Sequence, residues 1–331
     1  MVENKFSQQL GISFFSPGMF LVFAFFFLPI ALPSLFLWVT LFQAVPVFFL
    51  FRLAATERQA VVQLRNGLLL AGAGALLFQE VGMFVASFVL LPLGYSLHRS
   101  LERNESPAVS GQTGILILGL SWLASWLIYG LATGVNPYTS LLGLMDTTFE
   151  QLIAQLELYR TRTELQEEAR YNLGLAVHAL SGARTHLLPK IFPGMLAGTA
   201  VITVWLNMVA GNYFLYRFQP DRAAWPAFRY WQLPDKLIWL LITAGTLSLI
   251  ASGGVQNIGY CLAIITGLLY FFQGLAIFIH LLSRWNVPVF WKIILYIIMA
   301  QSYGLFLLAL AGIADTWADF RKLRQEEQAS C

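Results

Sequence analysis

The chain has 331 residues, of which 58% are apolar, 15% aromatic and only 11% charged, with a formal net charge of +3. Soluble domains carry about 25% charged residues, so this composition excludes a water-soluble fold. The small positive charge argues against nucleic-acid binding and directs the basic residues to lipid headgroups and topology instead.

The start, MVENKFSQQLGISF, is followed by an apolar stretch to about residue 51 without a small-residue cleavage site, so it reads as a retained membrane anchor. Residues 17–51 exceed one span and contain Pro29, Pro33 and Pro46. Proline removes a helix hydrogen bond, so a hairpin turning near Pro33 and Ser34 is expected. Two short spans follow at about 60–78 and 82–98, joined at Gln79, Glu80 and Val81. A fifth covers about 113–133 and exits at Gly134, Asn136 and Pro137. Residues 15–137 form an N-terminal membrane block.

Residues 138–190 change character. At helical spacing Asp146, Glu150, Glu157, Glu164 and Glu168 fall on one stripe, opposite Met145, Phe149, Leu152, Leu156 and Tyr159. This predicts an amphipathic acidic helix lying on the membrane surface or on the bundle through its first turns. Beyond Thr163 the apolar face thins, and Pro189 is expected to end the segment.

Residues 191–314 form a second membrane block, with spans at about 193–216, 236–252, 257–283 and 289–313. Pro193 suits the first helical turn. Trp225, Tyr230 and Trp231 in the loop after the first of these spans suit the water interface. The whole is an all-α, polytopic transmembrane bundle of about nine spans, closed by a charged tail at 315–331. A transmembrane barrel would alternate apolar and polar residues in short segments, a pattern absent here. Positive-inside counting conflicts with itself: the turns at 79–82 and 252–256 lack Lys and Arg, yet nine spans place either them or the basic tail on the disfavoured side.

Five strings, LPDKLIW from Leu233, NIGY from Asn257, LYFFQGLAIF from Leu269, GLFLLALAG from Gly304 and ADTWADFRK from Ala314, resemble in order and spacing the YybS-like family of bacterial multi-pass membrane proteins. That family is distantly similar to the S components of energy-coupling-factor importers, which capture a vitamin or metal and rely on separate ATPase subunits. The resemblance implies residence in the bacterial cytoplasmic (inner) membrane and a transport-related role.

Candidate contacts within the bundle are few. Glu80 is a carboxylate in an otherwise uncharged stretch, and an ionisable group at membrane depth marks a functional site by default. Asn207, Asn212, Asn257 and Gln273 are amides inside apolar spans, able to bind a polar ligand or to bond helix to helix. His280 lies near Arg284 and the end of its span. The step from Gly194 to Gly198 permits close helix contact and is a candidate dimer face. In the tail, Asp315, Trp317, Asp319 and Arg321 combine local charges with an interfacial aromatic. With Asp146, Glu150, Glu157, Glu164 and Glu168 they are the candidate docking residues for a partner.

No Walker sequence, HExxH, GxSxG or Cys/His cluster occurs, and Cys261 and Cys331 are far apart, so no enzyme, metal, cofactor or disulfide is expected. Two function classes follow: a transport-related protein binding a small polar solute, served by ATPase and membrane subunits, or a scaffold recruiting a soluble cytoplasmic protein. Both contact the lipid bilayer.

Overall fold

A computed structural model of the chain describes residues 16–161, 166–218 and 225–321, and these are helical with no strand. Five stretches are long and apolar enough to cross a bilayer, or up to seven when two sharply bent helix pairs each count as one span. The expected nine is not reached on these criteria. Ala44–Leu53 and Leu237–Ile250 are apolar but have 10 and 14 residues, about 15 and 21 Å of helix against roughly 30 Å of hydrocarbon.

The chain divides into two units. The first groups the described residues of Met1–Ile128 and Ala200–Pro226. Its first helix, α1 (Pro17–Ala31), is capped by Ser16, whose hydroxyl accepts from Met19 N at 3.1 Å. As expected from Pro33, the chain turns there: α1 and the stretch Pro33–Thr40, which ends in α2 (Phe36–Thr40), bend by 111°. Next come α3 (Ala44–Leu53), α4 (Glu57–Leu77), α5 (Val81–Ser87), α6 (Leu91–Glu102) and α7 (Pro107–Thr133). The α4–α5 turn falls at Gln79, whose φ of 60° breaks the helix. Val22, Phe26, Val47 and Leu50 form one core cluster, and Phe48, Leu93, Leu97, Leu118 and Val204 belong to another. α7 buries little: Leu116, Leu120 and Leu131 are 67%, 65% and 79% exposed. On a helix of this length and composition, side chains of that kind suit contact with lipid.

The second unit groups the described residues of Tyr129–Thr199 and Ala227–Cys331. α8 (Pro137–Arg160) begins on an Asn136 cap, and α9 (Glu167–Gly182) packs back against it. The acidic segment is therefore a helical hairpin and not one long amphipathic helix. Pro189 does not end it, and Pro193 does not open a span. A π turn at Ala183–Leu187 leads into α10 (Leu188–Phe218), with Pro193 inside. The widened turn spreads its hydrogen bonds just where Pro189 withholds a donor. α11 (Leu237–Ile250), α12 (Gly253–Arg284), α13 (Val289–Met299) and α14 (Ser302–Ala318) complete the unit. The span expected at 289–313 is a pair, α13 and α14, bent by 96°. Gly304 permits that bend, because a Cβ there would lie 2.5 Å from the Met299 backbone.

Candidate functional site

α12 and α14 cross with their backbones in contact. A Cβ on Gly274 would lie 1.7 Å from the Leu308 carbonyl oxygen, and one on Gly312 would lie 2.0 Å from that of Tyr270. Only glycine fits at both points, and this is the membrane use of small residues to bring helices together. The crossing sets Gln273, beside Gly274, opposite Asp315, one turn beyond Gly312.

Asp315 has no exposed surface, and Gln273 and Arg321 are 1% and 4% exposed. Gln273 Nε2 donates to Asp315 Oδ2 at 3.0 Å, and Arg321 Nη2 donates to the same oxygen at 2.9 Å. Phe320 N donates to Asp315 Oδ1 at 2.9 Å. The second guanidinium arm, Nη1, donates to the carbonyl oxygens of Arg229 and Trp231 at 3.1 and 2.8 Å. Arg321 gets there because α14 stops at Ala318 and Asp319 adopts left-handed φ 40° and ψ 57°, turning the chain back on the bundle. Arg229 in turn donates from Nη1 to Ser283 Oγ at 3.1 Å and lies 4.8 Å over the Tyr230 ring.

This is a buried ion pair with strong, charge-assisted bonds on one side and free valence on the other. Gln273 Oε1, Arg321 Nε and Arg229 Nε are buried with no protein hydrogen-bond partner. One acceptor and two N–H donors are thereby left with hydrogen-bonding capacity that the protein does not use.

The sequence places Gln273 within the bundle and makes Asp315 and Arg321, in the charged tail, candidate docking residues. The structure joins all three and corrects the second assignment, since neither charged residue reaches the surface. Trp317 is 69% exposed, and Asp319 serves as the helix C-cap.

The other amides bond helices and loops. In the first unit Asn207 Nδ2 donates to the carbonyls of Leu41 and Thr203, both at 2.7 Å, and Asn212 Nδ2 donates to that of Trp225 at 3.0 Å. Trp225 is buried rather than interfacial: it stacks on Phe48 at 6.0 Å and donates from Nε1 to Ser110 Oγ at 3.1 Å. Asn257 is half-buried near the start of α12, and His280 meets the Tyr230 ring edge at 6.1 Å. Glu80 lies half-buried in the α4–α5 turn and not within a helix. Gly194 and Gly198 face Ile264 of α12, so this small-residue step is used inside the chain.

The acidic stripe is partly consumed as well. Arg184 donates from Nε to Asp146 Oδ1 at 2.6 Å and from Nη2 to Asp146 Oδ2 at 2.8 Å and Glu150 Oε2 at 3.3 Å. That fork of hydrogen bonds holds the Asp146 carboxyl below the usual carboxylate range. Glu157 pairs with Arg160 at 3.1 Å, Glu168 is exposed in the first turn of α9, and Glu164 lies outside the described residues.

Sequence reasoning missed Gln43 and Ser87, whose side chains bond at 3.1 Å in the first unit, and the buried His98. No local spacing marks the Gln43–Ser87 pair, 44 residues apart. An outward groove of about 680 Å³ along α4 and α5 is lined by Leu68, Leu69, Leu76, Phe84 and Phe88 with Arg65, a lining suited to lipid chains and not to a polar solute.

None of the curated proteins and none of the solved structures compared with the chain matches it. A family profile does match, over residues 20–316, nearly the whole of the bundle and including Gly274, Gly312 and Asp315. With its several candidate spans the chain is a multi-pass membrane protein, and it belongs to the family described as "Predicted membrane protein (DUF2232)".

Proposed function

We propose that this protein is a transport-related component of the bacterial cytoplasmic membrane that binds a small polar solute in its second unit and performs no chemistry on it. One observation carries the reading: the buried Gln273–Asp315–Arg321 cluster and the adjoining Arg229, where Gln273 Oε1 and the Nε groups of Arg321 and Arg229 have no protein hydrogen-bond partner. Burying an ion pair costs more than packing apolar side chains there, so its presence calls for a use. The helical architecture, in place of a barrel, supports the inner membrane. The YybS-like resemblance and its distant similarity to importer S components support the class, and nucleotide hydrolysis would fall to separate subunits. If α3 and α11 also cross, as broken passes or where the bilayer is locally thinned, the count rises to nine.

The scaffold reading loses ground on the residues that motivated it. Asp315 and Arg321 are buried, and Asp146 and Glu150 are engaged by Arg184. Glu157 pairs with Arg160, and Asp319 caps α14.

The test is thermal stabilisation of the detergent-purified full chain by a panel of vitamins, amino acids and nucleobases, with native mass spectrometry for co-purified solutes. A stabilising solute whose effect is lost in Gln273→Leu, while the variant remains monodisperse, supports the proposal. No stabilisation by any member and no co-purified mass would count decisively against it.

A further inference from the structure

A second group of polar side chains, in the first unit, has chemistry that the solute-binding reading does not use. Glu57 stands in the first turn of α4, just after the Thr56 cap, and His98 and Glu102 stand one turn apart near the end of α6. One ligand atom from each of the three lies within 4.8 Å of the others. His98 is 3% exposed, and neither of its ring nitrogens makes a hydrogen bond. Phe51 and Tyr95 pack around the ring, at 5.5 and 6.3 Å between centroids, and fix its plane.

We infer that Glu57, His98 and Glu102 form a binding site for one divalent transition-metal ion, with Zn²⁺ the best match. His98 Nε2 and Glu102 Oε1 are 3.4 Å apart. Two donors at bond lengths of about 2.0–2.2 Å around a tetrahedral ion are separated by roughly 3.4 Å, so this edge is already set. The third donor, on Glu57, closes the triangle with a shift of about 1 Å, within the reach of an exposed glutamate rotamer. Arg99 Nη1 lies 3.5 Å from Glu57 Oε1 and 3.4 Å from Glu102 Oε2. It engages the Glu102 oxygen that does not face His98, leaving Oε1 available, and holds the carboxylates together as an outer partner.

An imidazole this deeply buried without hydrogen bonds is expensive, and a nitrogen–metal bond removes the expense. The two glutamate side chains are 55% and 39% exposed, which leaves the ion open to water on one side and gives it an entry path. The mix of one nitrogen and two carboxylate donors favours Zn²⁺ and its neighbours over Ca²⁺ or Mg²⁺, which prefer oxygen alone.

The experiment titrates Zn²⁺ into the untagged full chain in detergent after chelator stripping, by calorimetry and by metal content after gel filtration. One Zn²⁺ per chain is expected, with a raised unfolding temperature. His98→Gln, Glu57→Gln and Glu102→Gln should each weaken binding at least about tenfold, while Glu105→Gln should leave it unchanged. The inference is overturned if stripped, monodisperse wild type binds no Zn²⁺ saturably, if the three substitutions leave affinity intact, or if Mg²⁺ and Ca²⁺ compete on equal terms. The stripped wild-type titration decides the matter even if a variant fails to fold.

Discussion

Replacing Gly274 by Ala tests the glycine crossing directly. The new Cβ would meet the Leu308 carbonyl oxygen at 1.7 Å, and ordinary contact begins near 3.4 Å, so α12 and α14 must part locally by about 1.7 Å. Both atoms in collision belong to rigid backbone, so no rotamer change relieves them. Parting on that scale stretches the 3.0 Å Gln273–Asp315 bond past any useful length. Overpacking costs about 1–3 kcal/mol, and losing a hydrogen bond to a charged group about 1.5–3 kcal/mol more. Alanine returns up to about 1 kcal/mol of helix propensity, leaving a net loss of roughly 2–5 kcal/mol. Gly267→Ala in the same helix is the control, because nothing lies within 4 Å of its would-be Cβ. Unfolding of both variants by SDS titration in mixed micelles gives the difference. If Gly274→Ala proves as stable as Gly267→Ala, the close crossing, and the polar cluster built on it, are not as described.

Asp315→Asn should destabilise the second unit by about 3–5 kcal/mol, since Arg321 is left buried without its counter-charge, whereas Asp315→Leu combined with Arg321→Met should recover most of the loss; a double-mutant cycle reads the coupling, and additive losses would contradict it. In the first unit, Trp225→Ala should cost about 3–5 kcal/mol through the vacated space beside Phe48, and Asn212→Ala about 1 kcal/mol; equal effects in the same assay would show that Trp225 is not the anchor. Acid should loosen the α8–α9 hairpin. The Asp146 carboxyl titrates lower when folded than when unfolded, so its stabilisation is present above about pH 4 and fades as pH falls through the lower folded value. Hydrogen-exchange protection of α8, corrected for intrinsic rates, should drop in that window in wild type and show no such step in Arg184→Gln. Identical acid profiles would remove the ion pair from the account.

Local chemistry was readable in advance; long-range pairing was not. Pro33 announces the first bend because a missing donor acts on its own neighbours, and Gln79–Val81 marks the next turn because polar side chains interrupt two apolar runs there. Pro189 and Pro193 mislead by that logic: a π turn just before Pro189 carries the helix past the first, and the second is accommodated inside α10. In the tail, helical spacing puts Asp315 and Asp319 one turn apart. That holds only while the helix continues, and it stops at Ala318. The left-handed residue after it carries Arg321 inward to an aspartate whose other partner, Gln273, is 42 residues upstream. Spacing cannot reveal such a meeting. Glu57 and His98 are hidden likewise, each ordinary in its own helix.

The internal neutralisation of Asp315 by Arg321 has an electrical corollary. While the two are joined, the pair carries no net charge, so the transmembrane voltage does almost no work on it. Any step that separates them while one charge stays in the membrane would couple to the field, at up to about 2.3 kcal/mol for each 100 mV that the charge traverses. Opening this pair would thus be the step at which these two charges begin to sense the membrane potential.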